Sequence, residues 1–290
     1  MVHDIPMNIL SAAYHLFLKN PRLFFVRVFL EIKMRACSPF LLEKGAFKSM
    51  RGVKFYIPFQ EARNRKRMYF GLCEMGVVNT METFLKKRDI FIDVGANVGH
   101  LSAVGAGLVG KEGQVHCFEP VPRCAERLRE LAAANPGYSF FIHEVALGDR
   151  EGTISLFVSS VSMGQSSVVP GILKGNAVER TLLVPVRRLD VYLRDMGIAK
   201  VKIIKIDVEG FELAVLRGLR EFFQETRELP LLICEIAPFA HKDLDELFSY
   251  LEGFSYAPFD IVNSKKPLSK KIIAQSHTIN VLFKPSASRQ

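Results

Sequence analysis

The sequence predicts an α/β fold: a doubly wound, mostly parallel seven-stranded sheet with an antiparallel C-terminal strand, a β-hairpin insertion and an N-terminal helical extension. Three observations carry this reading. Apolar runs at 90–94, 114–118, 139–145, 201–207 and 230–236 alternate with helical stretches, as in a parallel sheet covered by helices. The first run, within Asp89-Ile90-Phe91-Ile92-Asp93-Val94-Gly95-Ala96-Asn97-Val98-Gly99, leads into a glycine turn that opens a helix. Two further strands, Tyr256 to Val262 and Thr278 to Phe283, end the sheet, the second expected as its antiparallel edge.

Taken in order, residues 7–35 read as a basic amphipathic helix broken at Asn20-Pro21. Such a helix packs on the body of the protein or a second subunit, or lies in a bilayer interface. Arg63-Asn64-Arg65-Lys66-Arg67 reads as a solvated turn or helix start. A helix over 68–87 then leads into the first sheet strand, which sets the division: a basic helical extension over 1–67 and a sheet-containing domain over 68–290. Alternating runs Thr153 to Val158 and Thr181 to Val186 make the hairpin, and between them Ser159 to Ser167 is a loop of small polar residues suited to a substrate site.

The carboxylate of Asp93 narrows the ligand of the glycine turn. A turn that wraps a pyrophosphate presents backbone N–H groups and no anion. Asp93 suits a ligand with positive charge and hydrogen-bond donors, as S-adenosylmethionine has in its sulfonium and amino group. Glu119 ends the next strand, twenty residues beyond Gly99, where a carboxylate can accept both ribose hydroxyls. Gly105-Ala106-Gly107-Leu108-Val109-Gly110 spells a dinucleotide fingerprint, but it continues a helix and precedes a strand, the reverse of the required order. Small residues for close helix packing explain it better.

The 290 residues are 49% hydrophobic and 24% charged, which excludes a disordered chain. Residues 1–67 hold thirteen Lys and Arg against four acids, a net +9, while residues 68–290 hold 26 of each sign. A basic arm on a neutral body implies an acidic surface or partner for the arm. Cys37, Cys73, Cys117, Cys124 and Cys234 have no metal-ligand spacing and read as reduced thiols of a cytoplasmic protein, peripheral to a membrane if the arm binds one. The start, Met1-Val2-His3-Asp4, lacks the basic cluster of a signal peptide. The apolar stretch Ile9 to Leu18 falls short of the roughly 18 to 20 residues that span a bilayer.

The glycine turn together with Phe118-Glu119-Pro120, Val145-Ala146-Leu147-Gly148-Asp149, Gln165-Ser166-Ser167 and Ile204-Lys205-Ile206-Asp207-Val208-Glu209-Gly210-Phe211-Glu212 closely resembles the FkbM-type family of S-adenosylmethionine-dependent methyltransferases. The resemblance covers about Tyr69 to Pro285 and implies a class I methyltransferase-like sheet. It implies S-adenosyl-L-methionine as cofactor and a hydroxylated small molecule or glycan as acceptor. By position, Asp93, Gly95, Ala96, Asn97 and Gly99 would surround the methionine portion, Glu119 and Pro120 the ribose, and Glu144, Val145 and Ala146 the adenine. Asn97 has a second reading as a turn or helix-capping residue.

The chemistry is expected at the end of the fourth strand, where Asp207 and Glu209 share a side of extended backbone. Either could take the hydroxyl proton, with Ser166 and Ser167 orienting the acceptor. In a competing reading, acids at Glu209 and Glu212 only complement the dipole of a helix over 209–217. No full ligand set for a metal can be placed, and His100, His143 and His241 read as packing or surface residues. Two other functions stay open: a cofactor-binding protein without turnover, attached through its arm, and a nucleic-acid methyltransferase, which the balanced charge of the body disfavours. The acceptor and the oligomeric state, homo-oligomer included, are not legible.

Overall fold

The computed structural model describes residues 46–57, 65–70, 72–159, 166–169, 178–241 and 244–286, and four helical positions at 25, 28, 29 and 32. Most of the helix expected over 7–35, with its break at Asn20-Pro21, lies outside the described residues, as does most of the Ser159 to Ser167 loop.

The described chain opens with a hairpin, β1 (Ala46–Met50) and β2 (Val53–Ile57). This departs from a helical extension over 1–67. Met50, Val53, Phe55 and Ile57 are buried in one cluster with Phe91, Leu101 and Val104, so the hairpin belongs to the core of the sheet domain. Then come α1 (Arg65–Phe70) and α2 (Met75–Phe84), where one helix over 68–87 was expected. Glu74 separates them in a left-handed conformation, φ 47°, which a continuous right-handed helix cannot contain.

Next follow β3 (Ile90–Val94), α3 (His100–Val109), β4 (Gln114–Phe118), α4 (Pro122–Ala133) and β5 (Ser139–His143). The insertion comprises β6 (Ala146–Leu147), β7 (Gly152–Ser159), β8 (Ser166–Ser167) and β9 (Val178–Arg187). In it β7 and β9 form the expected antiparallel hairpin, and β8 and β6 extend it to four strands. After it come α5 (Leu189–Asp195), β10 (Ile203–Ile206), α6 (Glu212–Arg217), α7 (Arg220–Glu225) and β11 (Leu231–Ile236). The chain closes with α8 (Leu244–Gly253), β12 (Tyr256–Asp260), α9 (Lys270–Ala274) and β13 (Ile279–Pro285).

The main sheet has seven strands in the order β12-β13-β11-β10-β3-β4-β5. Its β3, β4, β5, β10 and β11 pair in parallel, and β13 runs antiparallel to both neighbours. One expectation is corrected: β13 is inserted between β11 and β12, and β12 is the edge. Val281, Leu282 and Phe283 in succession are at most 1% exposed, so both faces of β13 are covered.

The fingerprint-like glycines pack as small residues. A Cβ on Gly105 would lie 2.4 Å from the Phe91 ring, and one on Gly107 would lie 2.7 Å from Cβ of Arg51. The helix expected over 209–217 begins only at Glu212. Glu209 (φ 51°) and Gly210 (φ 96°) are left-handed, so Glu209 stands in the loop before the helix and does not serve its dipole.

Candidate active site

The site forms at the carboxyl ends of β3, β4 and β10. Connections leave β3 in opposite directions here, towards β4 and β5 on one side and β10 and β11 on the other, the switch point at which open α/β sheets bind ligands. Asp207 N donates to Val94 O (3.0 Å), and Gly95 N donates to Phe118 O (2.9 Å), tying the three strand ends together. Gly95 is obligatory in this arrangement: its φ is 76°, and a Cβ would lie 1.9 Å from the Asp207 carbonyl oxygen.

The turn from Gly95 to Gly99 is held by Glu119. Its Oε2 accepts from Asn97 N (2.8 Å) and its Oε1 from Val121 N (2.9 Å). Burial outweighs these two bonds and raises its pKa to about 7. Asn97 is left-handed (φ 52°) and accepts from Cys124 Sγ (3.7 Å); no side chain caps α3, so its helix-capping reading is set aside.

A cavity of about 660 Å³, open to solvent, lies over these ends. Gly95, Asn97, Glu119, Pro120, Val145, Ala146, Ser166, Asp207 and Glu209 all line it, with Phe118, Leu156, Val168 and Phe211 as apolar walls. A second hollow of about 330 Å³ shares Gly95, Asn97 and Asp207 with it and adds Asp93, Ala96, Glu74, His100 and Lys205. The structure therefore gathers most of the expected site residues.

Three depart from expectation. Glu144 does not line the cavity: its Oε2 pairs with Arg129 Nη2 at 2.6 Å, which holds the carboxylate outside the wall that Val145 and Ala146 form. Gly99 lines neither hollow; it carries α3 past Leu128 and Leu131, whose side chains a Cβ would meet at 2.8 and 2.9 Å. The buried Ser167 hydroxyl donates to Glu209 O (2.8 Å) and accepts from Val169 N (3.0 Å), so it fixes the Glu209 loop instead of facing an acceptor.

Two charged residues within buried strands escaped the sequence reading, although a charge in an apolar run such as Ile203–Ile206 or Leu231–Ile236 is itself a signal. Lys205 is 3% exposed; it pairs with Asp207 (Nζ to Oδ2, 2.8 Å) and stands opposite Asp93 in the β10–β3 register. Burial alone would lower its pKa, but Asp207, Asp93 and Glu74 together raise it. Burial likewise opposes the charge on Asp207, and Lys205 with a hydrogen bond from Glu235 prevails and lowers its pKa. Glu235 itself is raised, first by the charge on Asp207 and then by burial, so it is the protonated member of the pair.

Glu209 has the opposite environment. Burial, then the charges of Asp207 and Glu212, raise it to about 7. His100 Nδ1 lies 3.4 Å from Glu74 and His143 Nε2 lies 2.8 Å from Tyr192 OH, while His241 Nε2 lies 3.1 Å from Glu212 Oε2 without forming a hydrogen bond to it. Glu212 accepts from Val208 N and Gly210 N (3.3 and 3.1 Å), which shapes the loop carrying Glu209. Among the described residues, one group of metal-ligand type, Cys73, Glu74 and His100, has its ligand atoms within 4.8 Å of one another. Burial and Glu74 push the Cys73 thiol up to about 12, against the smaller opposing effect of the Arg67 and Lys205 cations.

The donor set fits S-adenosylmethionine. Asp93 is 1% exposed; its Oδ2 accepts from Ser102 (2.6 Å), and its Oδ1 has no protein partner, a position that the ammonium of the methionine portion would satisfy. Glu119 retains lone pairs for ribose hydroxyls beyond the two N–H groups it holds. The apolar walls suit a base.

The methyltransferase FkbM domain matches residues 93–257. The 2-O-methyltransferase NoeI of Sinorhizobium fredii is 30% identical over 160 residues, 50% of this chain and 63% of that protein. The chain thus spans less than two thirds of NoeI. The hexuronic acid methyltransferase AglP of Haloferax volcanii is 27% identical over 177 residues, 61% of this chain and 68% of that protein. The crystal structure of methyltransferase FkbM from Methylobacillus flagellatus aligns with a TM-score of 0.43 at 16% identity, covering 76% of this chain and 53% of that one. With a strand-end cleft fitted to S-adenosylmethionine and the domain matched over more than half its length, the chain belongs to the FkbM methyltransferase family.

Proposed function

We propose that the chain is an S-adenosylmethionine-dependent O-methyltransferase acting on a hydroxyl of a saccharide or similar glycan-like acceptor, with Glu209 as the general base. The observation that carries this reading is a cavity-lining carboxylate whose pKa is raised to about 7, beside the turn that fits the cofactor. A base of that pKa is largely ionised just above neutrality and still holds a proton well, and such a group contributes about 10² to 10⁴ in rate. Asp207 is the weaker candidate, because its pairing with Lys205 lowers its affinity for a proton.

When bound, S-adenosylmethionine supplies a methyl group already activated by its sulfonium. Asp93 holds the ammonium and Glu119 the ribose, while Asp207, fixed by Lys205, keeps a negative charge at the cleft. Glu209 accepts the proton of the acceptor hydroxyl, and Ser166 orients that hydroxyl. Alignment of the reacting atoms can contribute roughly 7 to 11 kcal/mol. The sugar class is supported by the names of two relatives, a 2-O-methyltransferase and a hexuronic acid methyltransferase.

The test is transfer of labelled methyl from S-adenosylmethionine to neutral saccharides, uronic-acid saccharides and polyols by the wild type and Glu209→Gln. Transfer to a saccharide hydroxyl that Glu209→Gln loses supports the proposal. Transfer confined to RNA or protein, or a Glu209→Gln variant with full turnover, overturns it.

A further inference from the structure

We propose that the N-terminal segment bearing Phe25, Val28, Phe29 and Ile32 docks as an amphipathic helix on the surface of an anionic lipid bilayer. The four positions are helical and spaced i, i+3, i+4 and i+7, the spacing that places side chains on one strip of a single helix. Their side chains are 60%, 39%, 63% and 62% exposed. The other exposed large apolar residues among those described, such as Leu183, Met196 and Phe239, are scattered singly in the sequence, the ordinary condition of a protein surface. A strip of two phenylalanines with valine and isoleucine is different, because each turn adds to the same apolar area.

Charge identifies the occupant. From residue 19 to residue 35 the sequence carries Lys19, Arg22, Arg27, Lys33 and Arg35 against Glu31, and residues 1–67 hold the entire +9 of the chain. An apolar strip within a basic segment matches the interface of an anionic bilayer, where acyl chains take the strip and headgroups take the cations. A second copy of the chain would set one basic arm against another. A polyanion such as RNA would engage the cations and leave the strip in water.

The experiment is flotation of the full chain with vesicles of phosphatidylcholine alone and of phosphatidylcholine mixed with phosphatidylglycerol, beside a Phe29→Gln/Ile32→Gln variant. Glutamine keeps the helix propensity, and cofactor binding checks that the variant is folded. The expected result is binding to the mixed vesicles, weak binding to phosphatidylcholine alone, and a loss of about tenfold or more in the variant. Equal flotation of variant and wild type, or no flotation of either, overturns the proposal. So does a dimer in light scattering that the variant dissociates without any lipid binding. The readout requires no methyl transfer, so it stands or falls independently of the catalytic reading.

Discussion

Lys205 Nζ lies 2.8 Å from Asp207 Oδ2, and the β10–β3 register sets the same lysine beside Asp93. One buried cation thus serves two acids at adjacent strand ends, with Glu74 contributing a third negative charge nearby. Without it, carboxylates at the floor of the cleft would repel one another in a medium poor in water.

Lys205→Met should therefore destabilise the protein by about 3 to 5 kcal/mol, the cost of leaving a buried charge unpaired. Urea denaturation measures it. Adding Asp207→Asn to the same chain should recover part of the loss, because the orphaned charge is then gone. A Lys205→Met protein as stable as wild type would show that the cluster is neutralised in another way.

The raised pKa of Glu209 predicts the pH dependence of turnover. Only the ionised carboxylate accepts a proton, and with a pKa of about 7 the ionised fraction falls as pH drops through that value. The kcat of the wild type should decline on the acid side with an inflection near pH 7. Glu209→Gln should lower kcat by about 10² to 10⁴, abolish that limb and leave cofactor affinity within a few-fold.

Glu119 should link cofactor binding to protons. Its pKa stands near 7 in the open cleft, and ribose hydroxyls donating to it favour the ionised form. Binding should then release a fraction of a proton at pH 7, and affinity should rise as pH increases through that value. Calorimetric titration of S-adenosylhomocysteine in two buffers of different ionisation enthalpy reads the proton count, and Glu119→Gln should abolish it.

Gly95 and Gly99 both have positive φ, at 76° and 87°, but alanine at the two sites meets different neighbours. At Gly95 the new Cβ strikes the backbone of Asp207 at 1.9 Å, whereas at Gly99 it meets the ends of leucine side chains at 2.8 and 2.9 Å. Gly99→Ala should cost about 1 to 3 kcal/mol and stay folded. Gly95→Ala should cost more than about 4 kcal/mol and lose cofactor binding, which thermal shift with and without S-adenosylhomocysteine would show.

Tyr192 joins two histidines under the cavity wall. Its hydroxyl lies 2.7 Å from His116 Nδ1 and 2.8 Å from His143 Nε2, and its ring packs edge-on against Phe118 at 5.0 Å. Burial first, then neighbouring charge, lowers both histidines to about 4, so both are neutral at pH 7. Tyr192→Phe removes both bonds and should cost about 1 to 3 kcal/mol in urea denaturation.

Features whose information is local were legible in the amino-acid sequence. Apolar runs flanked by glycine and polar residues fixed the seven sheet strands to within a few residues, and the placement of Asp93 and Glu119 at strand ends located the cleft. The order of strands, with β13 between β11 and β12, depends on which faces are covered and has no local signature. Tertiary structure also decided which polar groups remain available. Ser167 is consumed by its own loop, Glu144 is held by Arg129, and Glu209 sits in a left-handed loop where extended backbone beyond the strand was expected. Above all it gave Asp207 and Glu209, which sequence leaves equivalent, opposite shifts in proton affinity. A carboxylate's proton affinity is set by burial and by the charges around it, and the ammonium of Lys205 reaches one of the two at 2.8 Å while burial beside like charges raises the other.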